Sequence, residues 1–136
     1  MDKIVFITGA SSGIGAGCAR KFASQGASLI LNARNVNKLS ALKEELEKQY
    51  GAKIYLLPFD VRDRKAATSA LESLPKEWQS IDILVNNAGL VIGTDKEQEG
   101  SLDEWDIVID TNIKALLAMT RLIVPGMVER KRGHII

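Results

Sequence analysis

Three glycines, Gly9, Gly13 and Gly15, stand in one short turn, Thr8-Gly9-Ala10-Ser11-Ser12-Gly13-Ile14-Gly15, directly after an apolar run. Glycine at those positions suits chemistry in which a diphosphate must approach the backbone. Gly9 can make the tight turn, Gly13 leaves no side chain between backbone and anion, and Gly15 lets the next helix pack close to the strand. That helix then presents its free N–H groups and the positive end of its dipole to the charge. Ser11 and Ser12 add hydroxyl donors, and Ile14 completes the contact segment. The spacing is Gly-x3-Gly-x-Gly, not the commoner Gly-x-Gly-x2-Gly. Glycines of this kind can also form nothing more than a tight loop, but a place between a strand and a helix favours a dinucleotide.

The second set of residues bears on which dinucleotide. Folds that bind NAD usually carry a carboxylate at the end of the second strand for the ribose 2′-hydroxyl. Here Ala33 takes that position and Arg34 follows it. An arginine makes a charge-assisted, bidentate-capable contact with the 2′-phosphate of NADP, where a carboxylate would repel it. A hydrogen bond to such a charged group contributes roughly 1.5–3 kcal/mol, or about ten- to a hundredfold in affinity. With Asn35 assisting, NADP(H) is the expected cofactor and NAD the disfavoured one. A plain surface arginine on a turn is the alternative.

Three further polar positions interrupt apolar patterns. Asp60, with Val61, ends the third apolar run; on residue type alone it is an aspartate opening a loop. Asn86 and Asn87 end the fourth run, where two amides need partners. Asn112 falls on the apolar stripe of a long helix, and a buried amide without a hydrogen bond costs roughly 1–3 kcal/mol. It either bonds a neighbouring backbone or serves chemistry.

The elements that must position these residues alternate. Residues 4–7 read as a doubly buried strand. Ile14, Cys18 and Phe22 follow at helical steps of four, with Gly26 as the stop. Residues 28–33 are the second strand. Leu39, Leu42 and Leu46 mark a helix that Gly51 closes. Residues 53–59 form the third strand, and Asp63 caps a helix whose apolar face is Ala67, Ala70, Leu71 and Leu74. Pro75 ends it. Residues 81–85 form the fourth strand. After a solvated loop from 93 to 100, Ser101-Leu102-Asp103-Glu104 opens a helix running to Arg130. Its stripe reads Trp105, Val108, Ile109, Leu116, Met119 and Ile123, with a bend expected at Pro125. Residues 134–136 begin a fifth strand. Strands separated by helices of this length predict an α/β fold: a Rossmann-type, doubly wound parallel sheet in one domain over residues 1–136, truncated in its fifth strand. Ligands of such sheets bind beyond the carboxyl ends of the strands.

Bulk properties fit that class and exclude others. The 136 residues are 46% hydrophobic and 26% charged, near the soluble average. Eighteen basic against seventeen acidic residues, net +1, disfavour a nucleic-acid partner. No apolar stretch approaches the roughly 18 residues of a membrane span. The single cysteine, Cys18, reads as helix packing in a reducing compartment, so a cytoplasmic protein is expected. No metal site is predicted.

Thr-Gly-x3-Gly-Ile-Gly followed at the right distance by Asn86-Asn87-Ala88-Gly89 resembles the short-chain dehydrogenase/reductase family, and the resemblance runs from the first strand to the fifth. It implies that Asp60 and Val61 recognise and cover the adenine, and that Asn86 braces neighbouring strands. It also implies that Asn87, Ala88 and Gly89 lie against the cofactor ribose, and that Asn112 holds an ordered water in a proton relay. The segment from Leu74-Pro75 through Glu77-Trp78 and residues 81–89 to Gly93-Thr94-Asp95 is similar to the NADP-dependent 3-hydroxy acid dehydrogenases, which oxidise serine and related short 3-hydroxy acids. The family commonly forms dimers and tetramers, so a homo-oligomer is expected of the complete enzyme.

The same family uses a serine and a Tyr-x3-Lys pair, in which the lysine lowers the tyrosine pKa for proton exchange. The tyrosines here, Tyr50 and Tyr55, do not begin such a motif. Of the catalytic set Asn112 alone is present, so the chain by itself is expected to be inactive. With strand five incomplete, the fourth strand is expected to expose a long apolar edge. An NADP(H)-dependent oxidoreductase of which this is the cofactor-binding part is the leading expectation. A noncatalytic nucleotide-binding module and an incomplete gene product stand beside it.

Overall fold

The computed structural model describes residues 1–136. Five strands, β1 (Ile4–Ile7), β2 (Ser28–Leu31), β3 (Ile54–Leu56), β4 (Ile83–Val85) and β5 (His134–Ile135), form one all-parallel sheet in the order β3-β2-β1-β4-β5. The helices are α1 (Gly13–Ser24), α2 (Val36–Tyr50), α3 (Arg64–Glu72), α4 (Leu102–Ile109) and α5 (Ala115–Arg130), with a π-helical turn over Asp110–Lys114. This is the Rossmann-like α/β architecture expected from the alternating pattern.

Strand periodicity sorts the core into two layers. Val5, Ile7, Leu29, Leu31, Ile83 and Val85 face the side covered by α1 and α2. Phe6, Ile30 and Leu84 face α3 and α5, against Ala67, Met119, Ile123 and Met127. Strands buried on both faces must be apolar throughout, which explains the unbroken runs. The chain moves from β1 outward to β3, then crosses back to β4 on the other side. The ends of β1 and β4 therefore flank the switch point at which doubly wound sheets open a crevice.

Several local expectations are corrected. The buried face of α1 consists of Gly15, Ala16, Ala19 and Ala23, while Ile14 is 79% exposed. Small residues let α1 lie close to the sheet, and Cys18 and Phe22 pack only at the margin. The long helix is three segments: no residue of α4 is buried, and Trp105, Ile109 and Leu116 are exposed. The one-residue excess of a π turn rotates the helix face, so the stripe through α4 does not continue into the core. β2, β3 and β4 are shorter than their apolar runs because Asn32, Leu57 and Asp82 lie just outside the ladders. β4 is not left as an edge: Ile83 and Leu84 pair with His134 and Ile135. Buried Asp82, just before β4, ties both neighbours to it, accepting from the Ile4 N–H of β1 at 2.9 Å and from Nε of Arg132, shortly before β5, at 2.8 Å.

Helix ends follow the expected chemistry. Asp63 caps α3 through the Ala66 N–H, Ser101 caps α4 through the Glu104 N–H, and Gly51 closes α2 in the left-handed conformation. No helix is long and apolar enough to cross a membrane.

Candidate cofactor site

A cavity of about 870 Å³ opens at the carboxyl ends of β1, β2, β3 and β4. Of the residues singled out for cofactor binding, all but Gly13 and Gly15 line it; Asn112 does not. The two glycines shape the turn through its backbone. Gly9 (φ +62°) and Gly13 (φ +54°) adopt the left-handed conformation that other residues resist. A methyl group on Gly15 would overlap the Gly9 carbonyl oxygen and the Asn87 amide nitrogen, so α1 could not dock. A methyl group on Gly13 would meet nothing within 4 Å, so its backbone is open to a ligand.

The donors of this turn are uncommitted. The backbone N–H groups of Ser12, Gly13, Ile14 and Gly15 have no partner, the first intrahelical bond being Ala16 N–H to Ser12 O at 3.2 Å. Ser12 is the N-cap but makes no side-chain cap bond. A helix start with four free donors and no carboxylate in its first turn is a fitting cradle for a diphosphate.

Thr8 and Asn87 clasp this turn to the β4 exit. The Thr8 hydroxyl, 2% exposed, donates to Val85 O at 3.3 Å and accepts from the Asn87 and Ala88 N–H groups at 3.0 and 2.9 Å. In return Asn87 Nδ2 donates to the carbonyls of Thr8 and Gly9 at 3.2 and 3.0 Å. Asn86 braces differently from the expectation: its side chain donates to Thr120 Oγ1 on α5 at 3.0 Å. Its backbone N–H, bonded to Ile136 O at 2.8 Å, makes the strand contact.

The far wall is charged. Arg34, Asn35 and Lys38 come from the end of β2 and the start of α2, and Asp60, Val61 and Arg62 from the loop after β3. Asn35 is the N-cap of α2, its Oδ1 accepting from the Lys38 N–H at 3.0 Å, while its Nδ2 donor is uncommitted. Arg62 grips Asp60 in a fork: Nη2 lies 2.8 Å and Nε 3.2 Å from Oδ2, and Nε also lies 3.1 Å from Oδ1. The hydrogen-bonded guanidinium of Arg62, helped by its backbone N–H and by the charges of Arg62 and Arg34, holds the Asp60 carboxyl below the usual carboxylate range against the opposing effect of burial.

Two residues of this wall escape a reading of the sequence. Arg62 is one of many arginines, and nothing in its type reveals the Asp60 fork. Asn32 sits inside what reads as an apolar strand, is 1% exposed, and lines the cavity. Its Nδ2 donates to Leu57 O at 3.0 Å and Phe59 O at 3.1 Å, fixing the segment that carries Asp60. The signal was available: an amide in a buried run must have partners.

Asn112 lies in the π turn and bonds a neighbouring backbone. Both ends of its amide engage Leu90, Nδ2 donating to the carbonyl and Oδ1 accepting from the N–H, each at 2.8 Å. It stands behind Leu90 and Thr111, which line the cavity.

The sequence profile of the family described as short chain dehydrogenase matches residues 3–136. The chain belongs to the short-chain dehydrogenase family. Among similar members, the NADP-dependent 3-hydroxy acid dehydrogenase YdfG of Escherichia coli is 47% identical over 133 residues, 98% of this chain and 52% of that protein. Sulfoacetaldehyde reductase 2 of Chromohalobacter salexigens is 41% identical over 98% of this chain and 52% of its own length. Among solved structures, serine dehydrogenase from Escherichia coli superposes with a TM-score of 0.90 at 47% identity, covering 97% of this chain and 59% of that one. A closed form of serine dehydrogenase complexed with NADP+ superposes with a TM-score of 0.88 at 45% identity, covering 97% and 52%. This short-chain dehydrogenase thus spans about half the length of the curated relatives it matches.

Proposed function

We propose that this chain is the NADP(H)-binding part of an oxidoreductase acting on a short hydroxy acid or its carbonyl form. The observation that carries the cofactor is the wall at the end of β2. Ala33 replaces the carboxylate that would repel a 2′-phosphate, while Arg34 and Lys38 line the same cavity. NADPH supplies a hydride when bound. The residues of this chain do the rest of the holding. Free N–H groups at the start of α1 take the diphosphate, with Ser11 and Ser12 adding hydroxyls. Arg34 and the remaining Asn35 amide take the 2′-phosphate. Asp60 and Val61 take the adenine, and Asn87 to Gly89 lie against the ribose. Asn112 sets the position of Leu90 at the inner end of the cavity.

The substrate class rests on the similarity to 3-hydroxy acid and serine dehydrogenases. The proton transfer of such a reaction is not assigned to either tyrosine of this chain. The chain's two tyrosines are remote from the cavity: Tyr50 ends α2, and Tyr55 packs on Trp78 with ring centroids 5.7 Å apart. Neither can serve as the proton donor of a carbonyl reduction there.

Fluorescence titration of the 136-residue chain with NADPH and NADH tests the binding proposal. The expected result is saturable binding of NADPH with a clear preference over NADH. A flat titration of folded, soluble chain overturns it. Absorbance assays with malonic semialdehyde and NADPH are expected to show no turnover by this chain, and measurable turnover contradicts the assignment of proton transfer to residues it lacks.

A further inference from the structure

The adenosine end of the cavity holds three cations, Arg34, Lys38 and Arg62, and one carboxylate, Asp60. A phosphomonoester carries about −1.5 to −2 charges near neutrality, so an uncompensated carboxylate on the same wall works against it. Arg62 occupies both oxygens of that carboxylate in the fork described above, and its backbone N–H adds a third anchor to Oδ1 at 3.0 Å. The pair is partly shielded, with about a third of each side chain exposed (30% and 31%).

We propose that Arg62 is a specificity-determining residue for NADP(H), acting by charge: it cancels Asp60 and so keeps this wall receptive to the 2′-phosphate without touching it. The inference rests on the cofactor reading above and adds a residue to it. Asp60 faces the adenosine end whichever dinucleotide is bound. Its contact with the base and its repulsion of the diphosphate are common to NADPH and NADH, whereas its repulsion of the 2′-phosphate is felt by NADPH alone. Removing the Arg62 charge therefore penalises NADPH selectively. A residue that merely holds the loop in shape would, when replaced, weaken both cofactors alike.

The test is a pair of fluorescence titrations, NADPH and NADH, of the 136-residue chain and its variants, each checked for folding by circular dichroism. Arg62→Gln is expected to lower the NADPH-over-NADH preference by about threefold or more, on the scale of a partly exposed ion pair. That loss shrinks when ionic strength is raised to about 0.5 M, where charges are screened within a few ångströms. Arg62→Lys keeps the charge and is expected to keep the preference. Asp60→Asn combined with Arg62→Gln removes both charges and is expected to restore the ratio. An unchanged ratio in Arg62→Gln, an equal weakening of both cofactors, or no restoration in the double variant overturns the inference. Equal affinities in the unmutated chain overturn the underlying cofactor reading, an outcome distinct from these.

Discussion

Asn112 closes both ends of its amide on the backbone of Leu90, two hydrogen bonds of 2.8 Å that tie the π turn to the loop after β4. This is the pairing an adjacent strand would offer, supplied by one side chain. The loop so held begins at Asn87, which is itself clasped to Thr8. The segment 87–90 is therefore hydrogen-bonded at its start to the glycine-rich turn and at its end to the π turn.

Replacing Asn112 with leucine leaves the N–H and carbonyl of Leu90 without partners in a partly buried place. The expected cost is about 1–3 kcal/mol, read as a lower urea midpoint with an unchanged slope. A variant with the wild-type midpoint contradicts a bracing role for the amide.

Asn32 makes a sharper case because it is almost wholly buried. Asn32→Leu strands the carbonyls of Leu57 and Phe59 and is expected to lower stability by about 2–3 kcal/mol. The same variant should weaken NADPH, since the released segment leads directly to Asp60 and Val61. Unaltered NADPH affinity in a destabilised but folded variant limits Asn32 to the fold.

The Asp60–Arg62 pair has a defined pH signature. The carboxyl has a lower pKa in the folded chain than in the unfolded one, where it is near 3.9. Its stabilisation is therefore complete above about pH 4 and is lost as pH falls through the depressed folded value. The stability gap between the unmutated chain and Asp60→Asn should be present at about pH 6 and close toward about pH 2. Comparing the two proteins cancels the contribution of Glu45, whose carboxyl is likewise lowered, by the hydrogen bond from Arg20. A gap independent of pH contradicts the ion pair.

How much of this was legible in the residues depends on the kind of signal. Alternating apolar runs and glycine stops announced the parallel sheet, because strands covered on both faces leave no choice of residue type. The glycine turn and Ala33-Arg34 stood out for the same reason, since backbone approach and charge each demand particular residues, and they line one cavity. The π turn at Asn112 was not legible: the apolar spacing across it is still that of an α-helix, and one extra residue in a turn leaves no periodicity of its own. The small face of α1 was misread because Ile14 outweighs alanine in hydrophobicity, whereas docking distance is set by the smallest side chains. The Asp60–Arg62 fork depends on a loop conformation that residue types alone do not specify. Asn32, by contrast, could have been found by asking where its amide bonds.

The most direct test of the cofactor assignment is the ratio of NADH to NADPH dissociation constants in the unmutated chain and in Arg34→Asp, measured by fluorescence titration under one buffer condition. The expected result is a preference for NADPH of roughly ten- to a hundredfold in the unmutated chain, abolished or inverted in Arg34→Asp. Equal constants in the unmutated chain, or a preference that survives the substitution, contradict the placement of the 2′-phosphate at Arg34.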